Sequence, residues 1–293
     1  MISKRNSDLI IQSLKNLNSY NLENFLPIKF KDKKIGWINR KKLAFLKEKL
    51  ECSFLNSLCI IDLYSNGYDN IQKLYNCIMN DSNFKDTENC SIFNSDSLNP
   101  KMIFEKNQKF EKEQIYKIPR IMLNILGLPA YGVHCNGWKA ENNNIFFYLS
   151  KRSKKLNKFP GLYDNLIGGG QPYNLSLNDN LIKEGLEEVG LKKETLNKAR
   201  LESFNHYIHD NNDSLNSSII ATFDLELNRS FKFNGSDGEV EKVEKFEISE
   251  IFELLEDSKL KPNCIIPIID FLLRKKKEFF RKNEILKIKE YIF

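Results

Sequence analysis

A glycine-rich turn followed by an acidic helix pattern constrains this chain more than any other feature. Residues 160–191 read PGLYDNLIGGGQPYNLSLNDNLIKEGLEEVGL. The run of three glycines that begins at Gly168 permits positive φ angles and close approach of a ligand to the backbone. Ser176 predicts the N-cap of a helix that starts at Leu177, and Gly190 predicts its C-terminal end. The segment therefore predicts a tight turn that leads into a helix of defined length.

The predicted helix carries three carboxylates on one side. At about 100° per residue, Glu184, Glu187 and Glu188 fall on the arc opposite the apolar residues, which include Leu186. We expect the three carboxylates to reach a common point, and only Lys183 flanks them. Like charges so placed repel each other, and carboxylate oxygens are the ligands that Mg²⁺ or Mn²⁺ prefers. The pattern therefore predicts a divalent-metal site.

Together these residues resemble the signature motif of the Nudix hydrolases. That motif runs from a glycine through a first glutamate to Arg-Glu-apolar-x-Glu-Glu-x-Gly-apolar. Aligned on Gly169, the chain has the three helical glutamates and Gly190 in place. It departs at Leu175, which replaces the first glutamate, at Lys183, which replaces the arginine, and at Gly185, which replaces an apolar residue. Lysine keeps the charge of arginine but loses the planar fork that orients two carboxylates.

A narrower resemblance is to the thiamine-pyrophosphokinase-related Nudix proteins. The matching pieces are YGVHCNGW at 131–138, RS at 152–153, PGLYDNLIGGGQP at 160–172 and KEGLEEVGL at 183–191. Residues 236–255 and 261–274 resemble the closing segment of that subfamily. Lysine at the arginine position and the missing first glutamate are usual in that subfamily. The resemblance implies an α+β fold, in which residues 126–293 form a Nudix-type α/β/α sandwich with a mixed sheet. A smaller α+β N-terminal domain, residues 1–125, is expected to precede it.

The resemblance also implies hydrolysis of a diphosphate linked to an organic group, with Mg²⁺ as the cofactor and Mn²⁺ as its alternative. Glu187 and Glu188 are expected to be the principal metal ligands, and Glu184 a ligand or the general base. The carbonyl oxygen of Gly169 is expected to be a further ligand. Lys183 is expected to orient the carboxylates. The spacing leaves open which glutamate accepts the proton from water.

The substrate is expected to be a small-molecule diphosphate. The subfamily resemblance suggests thiamine diphosphate or its oxidised analogues, cut to the monophosphate and phosphate. Another nucleoside or coenzyme diphosphate is the alternative substrate, and a non-catalytic binding module is the alternative function. The residues expected to bind substrate are Arg152, Gly168, Gly170, His134 and Glu239, with Glu241 as the alternative to Glu239.

Charge and apolar content disfavour several other classes of protein. The net charge of +6 fits an anionic small molecule, and the short basic stretches at 151–158 and 274–277 lack an RNA-binding pattern, so no nucleic-acid partner is expected. The longest apolar stretch, 264–273, is about half of the ~20 residues that a membrane helix needs. The N-terminus lacks the pattern of a secretory signal. A cytoplasmic protein with no membrane partner is therefore expected.

Periodicity predicts further elements in both halves of the chain. Strands are predicted at 131–138, 145–150 and 218–227, and helices at 177–189, 248–255 and 265–278. In the first half the predictions are helices at 9–17 and 41–50, a strand at 28–38 and a polar surface loop at 80–99. Six scattered cysteines without metal-binding spacing predict reduced, buried thiols.

Overall fold

A computed structural model describes much of the chain, with its gaps concentrated in the first half. The described residues are 2–30, 33–42, 61–62, 76, 88–93, 96–98, 114–142, 144–211, 213–227 and 232–292. The described helices are α1 (Lys4–Leu17), α2 (Arg120–Ile125), α3 (Leu177–Val189), α4 (Lys193–Leu196), α5 (Ile248–Glu256), α6 (Ile265–Lys275) and α7 (Lys282–Ile292). The described strands are β1 (Phe25–Phe30), β2 (Lys33–Asn39), β3 (Ile61–Asp62), β4 (Asn89–Phe93), β5 (Gln114–Pro119), β6 (Ala130–Glu141), β7 (Asn144–Arg152), β8 (Tyr163–Asn165), β9 (Ile167–Gly170), β10 (Arg200–Asp210), β11 (Leu215–Glu226) and β12 (Val240–Glu247).

A mixed sheet forms the centre of the second half, with the strand order β10-β11-β6-β7-β12. Strands β6 and β11 are parallel, and the other pairs are antiparallel. The beginning of β6 pairs with β9, whereas its end, from Gly137 to Glu141, pairs with β7. The end of β7 pairs in turn with β8. The two long strands thus diverge, and the glycine strand β9 fills the opening between them.

Helices cover both faces of this sheet. Helix α3 packs on one face, over a buried cluster that includes Val133, Ile167 and Phe223. Helices α1, α5, α6 and α7 pack on the opposite face, over a cluster that includes Phe147 and Ile220. The predicted α+β class, with helices on both sides of a mixed sheet, is confirmed. Within the described ranges, none of the helices has the length and apolar character that crossing a bilayer requires.

Helix α3 has the predicted bounds, and its predicted apolar face is buried except at Leu186, while Glu188 lies on the buried side. Ser176 caps its start, since the hydroxyl accepts a hydrogen bond from the backbone of Asp179 at 3.0 Å, and Gly190 ends it in the left-handed region at φ 70°. Leu186, assigned to the apolar arc, is 44% exposed, whereas Glu188 is buried. Glu188 follows Leu181 by seven residues, so at about 100° per residue the two lie within ~20° of each other and Glu188 belongs to the buried face. Gly185 lies on the same face, where a Cβ would collide with the side chains of α4 and β9. The helix therefore lies close to β9 along a face that includes Glu188.

Two predictions in the first half are wrong, and a third falls mostly on residues that the structure does not describe. The strand expected at 28–38 is an antiparallel hairpin of β1 and β2. The surface loop expected at 80–99 contains β4, whose buried residues 90–93 pair with β5. The apolar pair of isoleucine and phenylalanine at the end of β4 favours this strand despite the polar flanks. The helix expected at 41–50 lies outside the described residues beyond position 42.

Helix α1 packs against helices from the other end of the chain. Its buried residues Ile10 and Leu14 belong to the same apolar cluster as Ile265 and Ile288, near the other end of the chain. The division into residues 1–125 and 126–293 stays a prediction. The structure adds that α1 contributes to the core beneath the C-terminal helices.

Candidate functional site

The glycine run lies in β9, and two of its members face charged side chains. A Cβ on Gly169 would lie less than 3.0 Å from the carboxylate of Glu184, and one on Gly170 would lie 2.5–2.6 Å from the guanidinium of Arg120. The carbonyl oxygen of Gly170 accepts a hydrogen bond from Asn180 of α3 at 3.0 Å. Any side chain at either glycine would displace these groups, so glycine here permits close approach of charged side chains to the strand.

Glu188 is the most deeply placed of the three helical glutamates. It is 6% exposed, and its carboxylate accepts a hydrogen bond from the backbone N–H of Gly168 at 3.0 Å. Burial raises the pKa of Glu188 well above its ordinary value, and the negative charges of Asp164, Glu184 and Asp237 raise it further. A buried carboxylate surrounded by other carboxylates favours binding of a cation.

Glu184 and Glu187 lie differently on the same helix. The side chain of Glu184 is 14% exposed and that of Glu187 is 48% exposed. Lys183 contacts both, with Nζ 3.3 Å from Glu184 Oε1 and 3.5 Å from Glu187 Oε2. Burial raises the pKa of Glu184, while the charge of Lys183 lowers it in part. Lys183 thus lies among the carboxylates, as expected for an orienting residue, but Glu187 points towards the surface.

The three glutamates do not share one point. Among the described residues, the one group of three possible ligands with all ligand atoms within 4.8 Å of one another is His134, Asp164 and Cys264. The prediction of a common point for Glu184, Glu187 and Glu188 is therefore wrong. The burial of the helix face that includes Glu188 separates its carboxylate from the half-exposed Glu187.

A second buried group of polar residues adjoins Gly168. Its centre is Asp164, whose carboxylate lies 2.8 Å from Lys261 Nζ and 3.2 Å from Arg152 Nη1. The thiol of Cys264 donates a hydrogen bond to the other oxygen of Asp164 at 2.7 Å. Burial opposes the ionisation of Asp164, but the charge of Lys261 outweighs it and holds the pKa of this carboxyl well below its ordinary range. Asp164 is therefore a carboxylate paired with cations, unlike Glu188.

His134 belongs to the same group. Its Nδ1 lies 2.7 Å from Asn165 Oδ1 and 3.9 Å from the carboxylate of Asp164. Burial lowers the pKa of His134 to about 4, and the charge of Lys261 lowers it too. The ring is therefore neutral near pH 7 and can donate or accept hydrogen bonds without a net charge. The structure thus places two predicted substrate residues, His134 and Arg152, beside one carboxylate.

The loop before β12 contacts the end of α3. The backbone N–H of Ser236 donates to the carbonyl oxygen of Glu187 at 2.9 Å. Asp237 is the loop carboxylate that interacts with Glu188. Glu239 is exposed and accepts a backbone hydrogen bond from Ser153, and its substrate role stays a prediction.

The donor set at β9 fits a hard divalent cation. Glu184 offers carboxylate oxygens beside Gly169, and Glu188 offers one at the backbone N–H of Gly168. Mg²⁺ and Mn²⁺ prefer such oxygens over nitrogen or sulfur. The carbonyl oxygen of Gly169 lies against Gly132, where a Cβ would be 2.9 Å away. The metal-binding roles of these residues stay predictions, as does that of Glu187.

Four charged residues around the site were not predicted from sequence: Glu88, Arg120, Asp237 and Lys261. Lys261 and Asp237 lie in segments that resemble the subfamily, so their position in those segments was a usable signal. Glu88 and Arg120 lie in the first half, where no motif marks them, and only the pairing of β4 with β5 brings them near β9.

Comparison with known proteins gives distant relatives. No family model matches the chain. Nudix hydrolase 20, chloroplastic, from Arabidopsis thaliana is 28% identical over 173 residues, which is 59% of this chain and 46% of that protein. Nudix hydrolase 24, chloroplastic, from the same plant is 28% identical over 59% of this chain and 47% of that protein. The chain thus spans about half the length of the curated relatives it matches, and their names support the resemblance to Nudix hydrolases.

Two solved structures of similar chains are an Ap4A hydrolase and a NUDIX domain. A C. elegans Ap4A hydrolase covers 52% of this chain and 98% of its own at 12% identity and a TM-score of 0.35. The NUDIX domain of Shewanella oneidensis NrtR, complexed with ADP ribose, covers 51% of this chain and 88% of its own at 11% identity and a TM-score of 0.38.

Proposed function

We propose that this chain is a Nudix hydrolase that cleaves the diphosphate of thiamine diphosphate, or of its oxidised analogues, to the monophosphate and phosphate. The observation behind this proposal is the carboxylate of Glu188, buried against the glycine strand beside Glu184. A surface helix has no need of such a group, because burying a carboxylate costs free energy unless a partner compensates it. The similarity to curated Nudix hydrolases supports the same reaction class.

Glu184 and Glu188 would hold the divalent cation in this proposal. When bound, Mg²⁺ or Mn²⁺ would neutralise negative charge on the phosphate oxygens. Glu187 would join the ligands only by leaving Lys183, which it contacts in this structure.

The remaining steps concern this chain's own side chains. In the reaction, water attacks one phosphorus of the diphosphate, the bond from that phosphorus to the bridging oxygen breaks, and the water gives up a proton. Glu184 is the residue we propose to accept that proton, through the carboxylate oxygen that does not hold the cation. Its carboxylate is partly exposed and its pKa is raised by burial, and both features favour a general base over a purely structural carboxylate.

Arg152 and His134 are proposed to contact the substrate from the neighbouring polar group. Arg152 supplies positive charge for phosphate oxygens, and the neutral ring of His134 supplies hydrogen bonding. Gly168 and Gly170 are proposed to keep the strand free of side chains where the diphosphate approaches. Glu239 would approach from the loop before β12.

A substrate panel tests the proposal. The purified chain is incubated with thiamine diphosphate, its oxidised analogues, ADP-ribose and other nucleoside diphosphates, with Mg²⁺ and with a chelator, and the released products are measured. We expect the thiamine compounds to be cleaved fastest, and the chelator to abolish cleavage. Faster cleavage of the nucleotides would replace thiamine by a nucleoside or coenzyme diphosphate as substrate. Metal binding without cleavage of any compound would favour a binding module.

A further inference from the structure

Two residues outside the motif, Glu88 and Arg120, lie near the glycine strand. Arg120 is the first residue of α2, and its guanidinium lies against Gly170, in the space that a Cβ there would occupy. Its backbone N–H donates a hydrogen bond to the carbonyl oxygen of Glu88 at 2.9 Å. The two residues meet because Glu88 immediately precedes β4, which pairs with β5, and α2 follows β5 directly. A part of the chain with no recognisable motif thus places a guanidinium at the candidate metal site.

Glu88 connects the two cations at the edge of this site. Its carboxylate lies 2.5 Å from Arg120 Nη2 and 3.8 Å from Lys183 Nζ. The Arg120 guanidinium also forms a hydrogen bond with the thiol of Cys90 in β4, and the charge of Glu184 acts on it. The side chain of Arg120 is 40% exposed. Arg120 is therefore fixed by several contacts and still accessible to a ligand.

This arrangement bears on the departure of the chain from the motif at Leu175. Leucine removes a carboxylate that could pair with the cation at position 183. In the structure Lys183 has Glu88 as an additional partner. A residue from the first half of the chain thus supplies a carboxylate next to Lys183.

We propose that Arg120 binds the substrate phosphate that lies away from the metal ligands, and that Glu88 is a positioning residue that holds Arg120 and Lys183 in place. This inference rests on the proposed function. A guanidinium offers parallel N–H donors to two phosphate oxygens, which an ammonium cannot match. Glu88 links Arg120 to Lys183, and Lys183 contacts Glu184. The guanidinium thus lies at the edge of the carboxylates, close enough for the charge of Glu184 to act on it, and the second phosphate of a bound diphosphate would reach it there.

Opposite effects on two ligands test the role of Arg120. Mn²⁺ binding to the full chain is measured by electron paramagnetic resonance of free Mn²⁺. Methylenediphosphonate is a diphosphate analogue that cannot be hydrolysed, and its binding is measured by calorimetry with Mn²⁺ present. Arg120→Gln removes a cation beside Glu184, so we expect Mn²⁺ to bind about threefold more tightly. The same variant should bind methylenediphosphonate at least ~10-fold more weakly, because charged hydrogen bonds to phosphate are lost. Arg120→Lys should fall between the wild type and Arg120→Gln for the diphosphonate.

Glu88→Gln should have the opposite effect on the metal. Without Glu88, Lys183 has only the helical carboxylates as partners, so Mn²⁺ should bind about threefold more weakly. Arg5→Gln is the matched control, because Arg5 forms an exposed ion pair with Glu256 on another part of the surface. It should leave both affinities unchanged. Thermal unfolding of each variant checks that it folds.

Gly170→Ala moves Arg120 without deleting it. The new Cβ would displace the guanidinium, so this variant should also bind methylenediphosphonate more weakly. Because Gly170 is itself proposed to face the diphosphate, Arg120→Lys is the second probe if Arg120→Gln fails to fold.

If Arg120 had a purely structural role, Arg120→Gln would bind both Mn²⁺ and methylenediphosphonate more weakly. That result would overturn the inference. Wild-type affinity of Arg120→Gln for methylenediphosphonate would overturn it too, while the proposed function would stand. Failure of the wild type to bind Mn²⁺ and methylenediphosphonate would overturn both proposals.

Discussion

At the scale of single residues, Glu188 has a carboxylate that is almost fully buried and accepts a hydrogen bond from the backbone of Gly168. Its pKa in the folded chain is raised by burial. A carboxyl group with a raised folded pKa contributes stability at low pH that is lost as the pH rises through that pKa. Without metal, the buried carboxyl of Glu188 therefore makes the folded chain less stable at neutral pH than at low pH, and a bound cation would compensate its charge.

Glu188→Gln tests this conflict between stability and activity. We expect the metal-free variant to unfold at a higher temperature than the wild type at pH 7, because the buried charge is removed while an oxygen remains to accept from Gly168. Turnover of a cleaved diphosphate should fall at least ~10²-fold, and Mg²⁺ should raise the melting temperature less than in the wild type. Glu194→Gln, a change at an exposed helical glutamate, is the control. Near-wild-type turnover of Glu188→Gln with Mg²⁺ would refute its assignment as a ligand.

The histidines give the stability a second dependence on pH. Burial lowers the pKa of His206 to about 4 in the folded chain, from 6.5. Below pH 6.5 the unfolded chain binds a proton that the folded chain does not, so the free energy of unfolding falls as the pH drops from 6.5 towards 4.

His206→Gln should reduce this fall, since glutamine does not titrate and can still bond to Ser217, which His206 contacts at 3.0 Å. Chemical denaturation between pH 4 and pH 8 measures the effect. The difference in unfolding free energy should be constant above pH 7 and shift in favour of the variant below pH 6.5. Parallel curves over the whole range would contradict the burial argument.

At the scale of elements, the contact of α3 with β9 sets the geometry of the site. Gly185 faces Ile167 of β9 and Leu196 of α4, and a Cβ there would lie 3.0 Å or less from both side chains. The absence of a side chain lets the helix approach the strand, and this approach brings Glu184 and Glu188 to the glycines.

Gly185→Ala should therefore destabilise the chain although alanine is the better helix former. Overpacking of this kind costs about 1–3 kcal/mol. Leu186→Ala is the matched control, since Leu186 is the exposed next residue of the same helix, and it should change stability by less than ~0.5 kcal/mol. Denaturant unfolding measures both. A stabilised Gly185→Ala would show that α3 does not depend on this close approach.

The sequence predicted the elements that have local signals and missed those that depend on distant partners. Helix α3 has its N-cap at Ser176 and its C-cap at Gly190, and its predicted bounds are confirmed. Helix α6 was predicted to run to 278, but it ends at Lys275 and a separate 3-10 turn follows. Strands β10 and β12 were not predicted. Their mixed polar residues gain their order by pairing with β11 and β7, which no local pattern reveals.

For the candidate site, the sequence identified the residue types better than the directions in which their side chains face. We expected Glu184, Glu187 and Glu188 on one arc, but at about 100° per residue Glu188 lies within ~20° of the apolar Leu181. The sequence therefore contained the signal that Glu188 faces inward, while Glu187 faces outward. Arg120 could not be found at all, because its approach to Gly170 depends on the pairing of β4 and β5.

At the scale of the whole molecule, the two ends of the chain share one core. Leu14 of α1 is fully buried in the cluster formed with α6 and α7. Leu14→Ala should cost about 2–5 kcal/mol in unfolding free energy. Leu286→Ala, at a position 61% exposed on α7, should be nearly neutral. Equal, small effects of both changes would indicate that α1 contributes little to the folding of the second half.

The central claim is that Glu184 and Glu188 hold a divalent cation against the glycine strand, and anomalous diffraction from a crystal soaked in Mn²⁺ tests it most directly. The predicted result is an anomalous peak beside the carboxylates of Glu184 and Glu188, absent from crystals of the Glu188→Gln variant. Mn²⁺ bound elsewhere, or no peak next to these two side chains, would contradict the claim.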